Sequence, residues 1–394
     1  MDAAAQRDPF GRRRAANPRR HFLVMVVLAA VALPSAACDQ RPPAAPVPGT
    51  RSSTSAPDPV AAAVAADFNA HTTDDQIRAI IVTTSGRTRF ERYYGSSAEE
   101  YRSAFSVTKS VVSTLVGLAI SEGELRLDDR LSKMLPRYAA EMSPRVAAVT
   151  LRQLLTMTAG FTDTSSGFGS SELLNSPDWV RFIIRHQDDA PGKLFAYSDY
   201  GAHLLSPILE QATGQPVLSY ARSHLFDPLG IPTRPAAQPL IDDAHLGQYE
   251  RAGFAWPVDP QGHALGAAHL KIRPQDMTRL GQLFLQGGQW QGRQVVPAAW
   301  VRQATSAQAG AAFQPSTDGR FAPTNYGYLW WVTTVDGTPS YFAWGLGGQL
   351  VQVVPDRNLV MVVSSYVDLR TGEPVLGQDD LERLAHAVVH AANP

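Results

Sequence analysis

The chain has 394 residues, of which 44% are hydrophobic and 18% charged, with a formal net charge of −1. That length suits one large domain or two interleaved ones, and the balanced charge offers neither a basic face for nucleic acid nor a broad acidic surface. Cys38 is the single cysteine, which excludes a disulfide framework.

In chain order, residues 1–21 are rich in arginine, and Phe22 to Leu33 form an apolar run that closes in Pro34-Ser35-Ala36-Ala37-Cys38. Residues 1–38 are thus expected to be an export signal, too short to span a bilayer as a mature helix. Arg19-Arg20-His21-Phe22-Leu23 resembles the twin-arginine pattern, and a general secretion signal tolerates the same residues. Cys38 sits where a bacterial lipoprotein is cleaved and acylated, although Ser35 stands where leucine is usual; cleavage after Ala37 leaves Cys38 a bystander. The expected location is therefore periplasmic, or membrane-anchored through a lipid on Cys38, with no other membrane contact. Residues 39–60, mostly Pro, Ala, Ser and Thr, bury too little to fold and read as a tether.

Folded structure is expected from about residue 61. Gln76 to Gly95 reads as a hairpin turning at Ser85-Gly86. Next comes Phe105-Ser106-Val107-Thr108-Lys109-Ser110, opening an apolar helix that runs to about Ile120. Residues three apart share a helix face, so Lys109 can place its amine beside the Ser106 hydroxyl. The N–H groups and positive dipole end at the helix start favour negative charge on an attacked carbonyl oxygen. Coincidence is the competing reading of Ser-x-x-Lys. Against it, only Lys109, Lys133, Lys193 and Lys271 are lysines among 35 basic residues, and an amine, unlike a guanidinium, can lose its proton when desolvated.

Residues 126–262 carry helical patterns, at Leu151-Arg152-Gln153-Leu154-Leu155, Trp179 to His186 and Ala202 to Thr213. Near the other end, Gln349 to Val354 and Leu359 to Ser365 form a second hairpin around Pro355-Asp356-Arg357-Asn358, followed by an amphipathic helix at about Asp379 to Ala392. Strands at both ends with helices between predict an α+β fold. Residues 61–125 and 263–394 would build an antiparallel sheet with flanking helices, and 126–262 would be a mostly helical insertion.

Several stretches carry a family resemblance. Ser106-x-x-Lys109 with Ser110-Val111-Val112-Ser113, then Leu127-Asp128-Asp129, then Thr150-Leu151-Arg152-Gln153-Leu154-Leu155-Thr156-Met157-Thr158-Ala159-Gly160 resemble the serine β-lactamase and penicillin-recognising hydrolase family. Within it the chain is most similar to the class C-like branch of esterases and 6-aminohexanoate-dimer (nylon oligomer) hydrolases. Later echoes are Arg273-Pro274-Gln275-Asp276-Met277, Tyr326-Gly327-Tyr328-Leu329-Trp330-Trp331 and Gly345-Leu346-Gly347-Gly348-Gln349.

The resemblance implies a general base at Tyr197 of Tyr197-Ser198-Asp199, where the family has Tyr-x-Asn; otherwise Tyr197 is a half-buried aromatic. A phenol of pKa ~10 needs a cation to act at neutral pH, and Lys109 would keep it anionic. The family's third motif, usually Lys-Thr-Gly, falls on Trp344-Gly345-Leu346-Gly347-Gly348-Gln349. The Gln349 N–H is expected to share the oxyanion hole with the Ser106 N–H, with Gly347 and Gly348 shaping the approach; the alternative is a glycine-rich turn. Asp199, Trp344 and Gly345 would touch substrate. Trp256, Trp330, Trp331 and Trp344 either line an acyl pocket or fill core and rim.

No Gly-x-Ser-x-Gly elbow or His-Glu-x-x-His occurs, and the histidines, His269 among them, read as packing or surface residues. The expected activity is hydrolysis of small esters or amides through a Ser106 acyl-enzyme, without metal or organic cofactor. The alternatives are a β-lactamase or D-Ala-D-Ala peptidase, and a non-catalytic binding or sensor lipoprotein on the same fold.

Overall fold

Two hairpins far apart in the sequence become neighbours in one sheet. The computed structural model describes residues 58–71, 77–162, 171–242, 244–313, 324–370 and 376–392. The export signal, most of the tether and Cys38 lie outside the described residues. Asp58–Pro394 forms one compact unit.

The described chain opens with helix α1 (Pro59–His71). The Asp58 carboxylate accepts from the Val60 and Ala61 N–H groups at 2.9 and 3.3 Å, and Pro59 supplies a first helical position that needs no donor. The last two residues of the stretch read as tether, 59 and 60, therefore belong to a capped helix. Strands β1 (Ile77–Thr84) and β2 (Arg87–Tyr93) meet at Ser85 and Gly86, with φ of 50° and 73°, the left-handed pair a two-residue hairpin requires. β3 (Arg102–Ser103) leads into α2 (Val107–Ser121).

Residues 126–262 hold helices and no named strand among the described residues. They are α3 (Leu131–Met134), α4 (Pro144–Ala147), α5 (Leu151–Leu155), α6 (Ser171–Leu174) and α7 (Trp179–Ile184). After them come α8 (Asp199–His203), α9 (Leu205–Thr213), α10 (Val217–Ala221) and α11 (Leu246–Arg251). Then β4 (Lys271–Ile272) pairs with β3 and runs into α12 (Pro274–Leu285). A small hairpin, β5 (Gln289–Trp290) and β6 (Arg293–Gln294), precedes α13 (Ala298–Ala304). The rest is β7 (Ala309–Phe313), β8 (Thr324–Tyr326), β9 (Trp331–Val335), β10 (Thr338–Gly345), β11 (Gln349–Val354), β12 (Leu359–Ser365) and α14 (Gln378–Ala391).

The main sheet has the order β2-β1-β12-β11-β10-β9-β8-β7, and every neighbouring pair is antiparallel. Ile80 lies opposite Val363 and Val82 opposite Met361, which joins the two ends of the chain. Strand alternation sends side chains to both faces. Val351 and Val360 press on Gly281 of α12, while Ile77 and Ile80 share a recess with Phe68 of α1 and Leu384 of α14. Each face of the sheet is thus covered by helices.

Helix α2 runs through the middle of the core, with every residue from Val107 to Ala119 buried. Its hydroxyls remain compatible with burial because each has a backbone acceptor. Ser110 donates to Leu329 O (2.7 Å), Ser113 to Tyr328 O (2.6 Å) and Thr114 to Ser110 O (2.8 Å). Gly117 is required by packing: a Cβ there would stand 2.4 Å from the Trp300 ring. Among the described residues no helix is long and apolar enough to cross a membrane.

Candidate active site

Ser106 sits at the head of α2, one residue after a backbone conformation that L-residues seldom adopt. Phe105 has φ 43°. Its surroundings hold it there: Thr108 Oγ1 donates to Phe105 O (2.6 Å), the Phe105 N–H donates to Ser103 Oγ (3.3 Å), and the ring packs on His269 at 5.2 Å. Ser106 occupies the N-cap position, yet its hydroxyl makes no capping bond. The oxygen instead accepts from Lys109 Nζ at 2.9 Å.

Lys109 is 1% exposed and its ammonium has two further acceptors, Ala267 O at 2.9 Å and the Asp199 carboxylate in a close ion pair. The Tyr197 ring centroid lies 4.7 Å from Nζ. Burial opposes the charge on Lys109, but Asp199 and Tyr197 outweigh it and hold the amine above its ordinary pKa. For Tyr197, burial raises the phenol, Lys109 pulls it down, and Asp199 pushes it up again; the net direction is upward. The expectation of a Tyr197 kept anionic is therefore corrected. Burial is the largest influence on the phenol and favours its neutral form, Asp199 adds to it, and Lys109 opposes both.

Tyr197 and Asp199 are placed by the start of α8. Ser198 is its N-cap, accepting from Gly201 N–H at 3.0 Å, and Asp199 opens the first turn, where a carboxylate suits the helix dipole. The incoming strand of chain is tied by Ala196 N–H to Met157 O (2.8 Å) and Gly192 N–H to Thr158 O (2.7 Å). The Thr156–Gly160 stretch is thus a support for the Tyr197 segment. Phe195 and Tyr197 belong to an aromatic wall: Tyr197 stacks on Trp331 at 5.6 Å, Trp331 on Phe342 at 6.2 Å, and Phe195 meets Tyr326 at 5.2 Å.

The third stretch lies at the end of β10 and the turn into β11. Among the described residues the pairing of β9 with β10 ends at Trp331 and Phe342. Gly345 backs onto the nucleophile's turn: a Cβ there would stand 2.4 Å from Ala104 O and 3.0 Å from Phe105 Cβ. Gln349, in contrast, lies on β11 between β10 and β12, opposite Gly345. Its side chain donates to Ser365 O (3.0 Å) and accepts from Ser364 Oγ (3.1 Å). Those bonds hold the Gln349 side chain inside the sheet. Gly347 and Gly348, at φ 74° and 97°, make the turn between the strands and are pressed by Val367 and Leu376. These positive φ values are ones that glycine adopts at no cost.

Trp256 and Trp330 are fully buried; Trp256 Nε1 donates to Leu265 O (3.0 Å) and Trp330 packs on Phe284 at 4.4 Å. They are core, while Trp331 stands beside Tyr197 and the partly buried Trp344 lies two residues beyond Phe342 on one strand face. One participant was invisible in the sequence. The Ala267 carbonyl is a backbone group with no side-chain signal. His269, at φ 70°, packs on the Phe105 ring and is pushed down to about 4 by burial, so it is neutral. Among the described residues no three His, Cys, Asp or Glu side chains gather into a group able to hold a metal ion.

A hydroxyl held by a buried amine, with a phenol at hand, is an arrangement in which a serine can be activated without a histidine base. The Beta-lactamase family model matches residues 70–383, and the chain belongs to that family. Penicillin-binding protein 4 of Amycolatopsis lactamdurans is 30% identical over 270 residues, covering 65% of this chain and 69% of the relative. The 6-aminohexanoate-dimer hydrolase of Paenarthrobacter ureafaciens is 24% identical over 298 residues, 69% of this chain and 70% of the relative. Among solved structures, a putative 6-aminohexanoate-dimer hydrolase from Bacillus anthracis superposes with a TM-score of 0.63 at 17% identity, covering 81% of this chain and 79% of its own. At that identity the likeness speaks for the fold.

Proposed function

We propose that this protein hydrolyses small esters or amides through an acyl-enzyme on Ser106. The observation that carries the reading is the 2.9 Å contact of Lys109 Nζ with Ser106 Oγ, with Asp199 on the same nitrogen. The minor phenolate form of Tyr197 takes the Ser106 proton as Oγ bonds to the substrate carbonyl carbon. The negative oxygen is met by the Ser106 N–H at the head of α2 and by a backbone N–H of the Trp344–Gln349 stretch, for which Gln349 is proposed. The bond to the alcohol or amine then breaks, and Tyr197 returns the proton to that leaving group. Water repeats the sequence, freeing the acid and restoring Ser106. The aromatic wall of Tyr197, Trp331 and Phe342 suits an apolar acyl or leaving group. The export signal read over residues 1–38 is the ground for proposing an exported enzyme, either lipid-attached at Cys38 or released by cleavage after Ala37.

β-Lactam recognition is the rival, suggested by the name of the 30% relative. It is disfavoured by Asp199, which stands where the family has an asparagine amide, and by the lack of a lysine among Trp344–Gly347. One donor has become an acceptor and one cation is missing, so an anionic drug meets repulsion where it would be held. Neutral esters, or amides bearing an amine, are expected to be turned over far better than nitrocefin. Asp199→Asn is expected to raise the ratio of nitrocefin to nitrophenyl-ester hydrolysis about tenfold, equivalent to roughly 1.4 kcal/mol. Efficient nitrocefin turnover by the unaltered protein, or a ratio that Asp199→Asn leaves in place, contradicts this substrate reading. A panel of nitrophenyl esters of graded acyl length, a D-alanyl peptide and a 6-aminohexanoate dimer then separates ester from amide preference.

A further inference from the structure

Two walls grip the Lys109 ammonium: Asp199, the first residue of α8, and the Ala267 carbonyl on the segment leading to β4. Both walls converge on one buried side chain. His203 ends α8, one turn after Asp199, and is 0% exposed. Its Nδ1 accepts from the Gly266 N–H at 3.4 Å, in the peptide next to Ala267, and its Nε2 lies 3.1 Å from Asp259 Oδ2. Asp259 is itself 1% exposed, and its other oxygen accepts from the Gln261 and His263 N–H groups, both at 2.9 Å.

These partners fix the proton. A backbone N–H can donate to Nδ1 only if that nitrogen carries a lone pair, so the ring proton is on Nε2 and is donated to Asp259. Burial works against a charged Asp259, but the His203 bond, the His263 charge and the His263 N–H together keep it below the usual carboxylate range. Gly266 lies so close to α8 that a Cβ would stand 2.5 Å from Ala202 O and 3.0 Å from His203 Cα. The segment holding Ala267 is thus pressed on the helix holding Asp199, with His203 as the polar link. Burying an imidazole and a carboxylate is costly where an apolar pair would fill the space, and such a pair is poor evidence for stability.

We infer that His203, held in its Nε2–H tautomer by Asp259, is a positioning residue that sets the Ala267 carbonyl and the Asp199 carboxylate on Lys109, and so orients the amine toward Ser106. The inference rests on the serine-hydrolase reading of the site.

Asp259→Asn tests the tautomer. If the new side chain keeps its oxygen on the Gln261 and His263 N–H groups, it turns its NH2 toward Nε2. His203 must then carry its proton on Nδ1, where it opposes the Gly266 N–H. His203→Phe removes both bonds, whereas His203→Gln can keep a donor for Asp259 and an acceptor for Gly266. With turnover counted per serine labelled by a fluorophosphonate, Asp259→Asn and His203→Phe are expected to lose roughly 10- to 100-fold in kcat with KM for a neutral ester little changed. His203→Gln should recover most of the rate. Counting per labelled site removes losses from poor folding, and a crystal structure of Asp259→Asn or His203→Gln reads the distance from Ala267 O to Lys109 Nζ directly. Variants that label and turn over like the parent, or an Asp259→Asn structure with that contact still at its present 2.9 Å, overturn the inference. A parent protein that labels at no serine overturns the hydrolase reading instead.

Discussion

Lys109→Ala and Tyr197→Phe are each expected to lower kcat/KM by about three orders of magnitude or more, and the double variant by little beyond the worse single one. The two side chains share one proton path. Lys109 Nζ touches Ser106 Oγ at 2.9 Å and faces the Tyr197 ring at 4.7 Å, so removing the amine strips the phenol of the cation that makes its phenolate accessible. Removing the phenol leaves an ammonium that Asp199 holds charged and that cannot accept the serine proton. Once either is gone, the other has no step left to assist. Steady-state kinetics on the two single variants and the double, with folding checked by circular dichroism, decide the matter. Multiplying losses mean that the two do not act on a common proton.

The second large effect is on pH. Tyr197 acts as phenolate, and burial and Asp199 together raise its pKa above the ordinary phenol value of 10.0 despite Lys109. Below that pKa the active fraction grows tenfold for each unit of pH. Lys109 is also held above its ordinary value of 10.5 and stays charged through the same window, so no falling limb enters. Between about pH 6 and 9, kcat/KM is therefore expected to climb by close to tenfold per unit without levelling. Asp199→Asn removes one of the upward influences on Tyr197 and should shift the rise to lower pH. A plateau beginning near pH 7 contradicts the assignment of the base to Tyr197.

Much of this was legible because it rests on side-chain type and short-range spacing. The Ser85-Gly86 and Pro355–Asn358 turns fixed two hairpins, and the apolar run after Ser106 announced α2. Other signals were present and passed over: Asp58-Pro59 is a helix start, and Asp336-Gly337, at φ 50° and 75°, is the turn joining β9 to β10. What the sequence does not carry is long-range backbone placement. The Ala267 carbonyl and the left-handed Phe105 belong to groups whose side chains give no hint of their use. Gln349 illustrates the difference, since only the strand pairing shows that it lies opposite Gly345. The upward shift of the Tyr197 phenol depended equally on placement, because burial, with Asp199 beside it, outweighs Lys109.

The central claim is that Ser106 is the nucleophile, and its most direct test is covalent capture. The protein treated with a fluorophosphonate is expected to gain one adduct, which peptide mass spectrometry places on Ser106, and Ser106→Ala is expected to lose both the adduct and ester hydrolysis. An adduct on another serine, or hydrolysis that survives Ser106→Ala, contradicts the account.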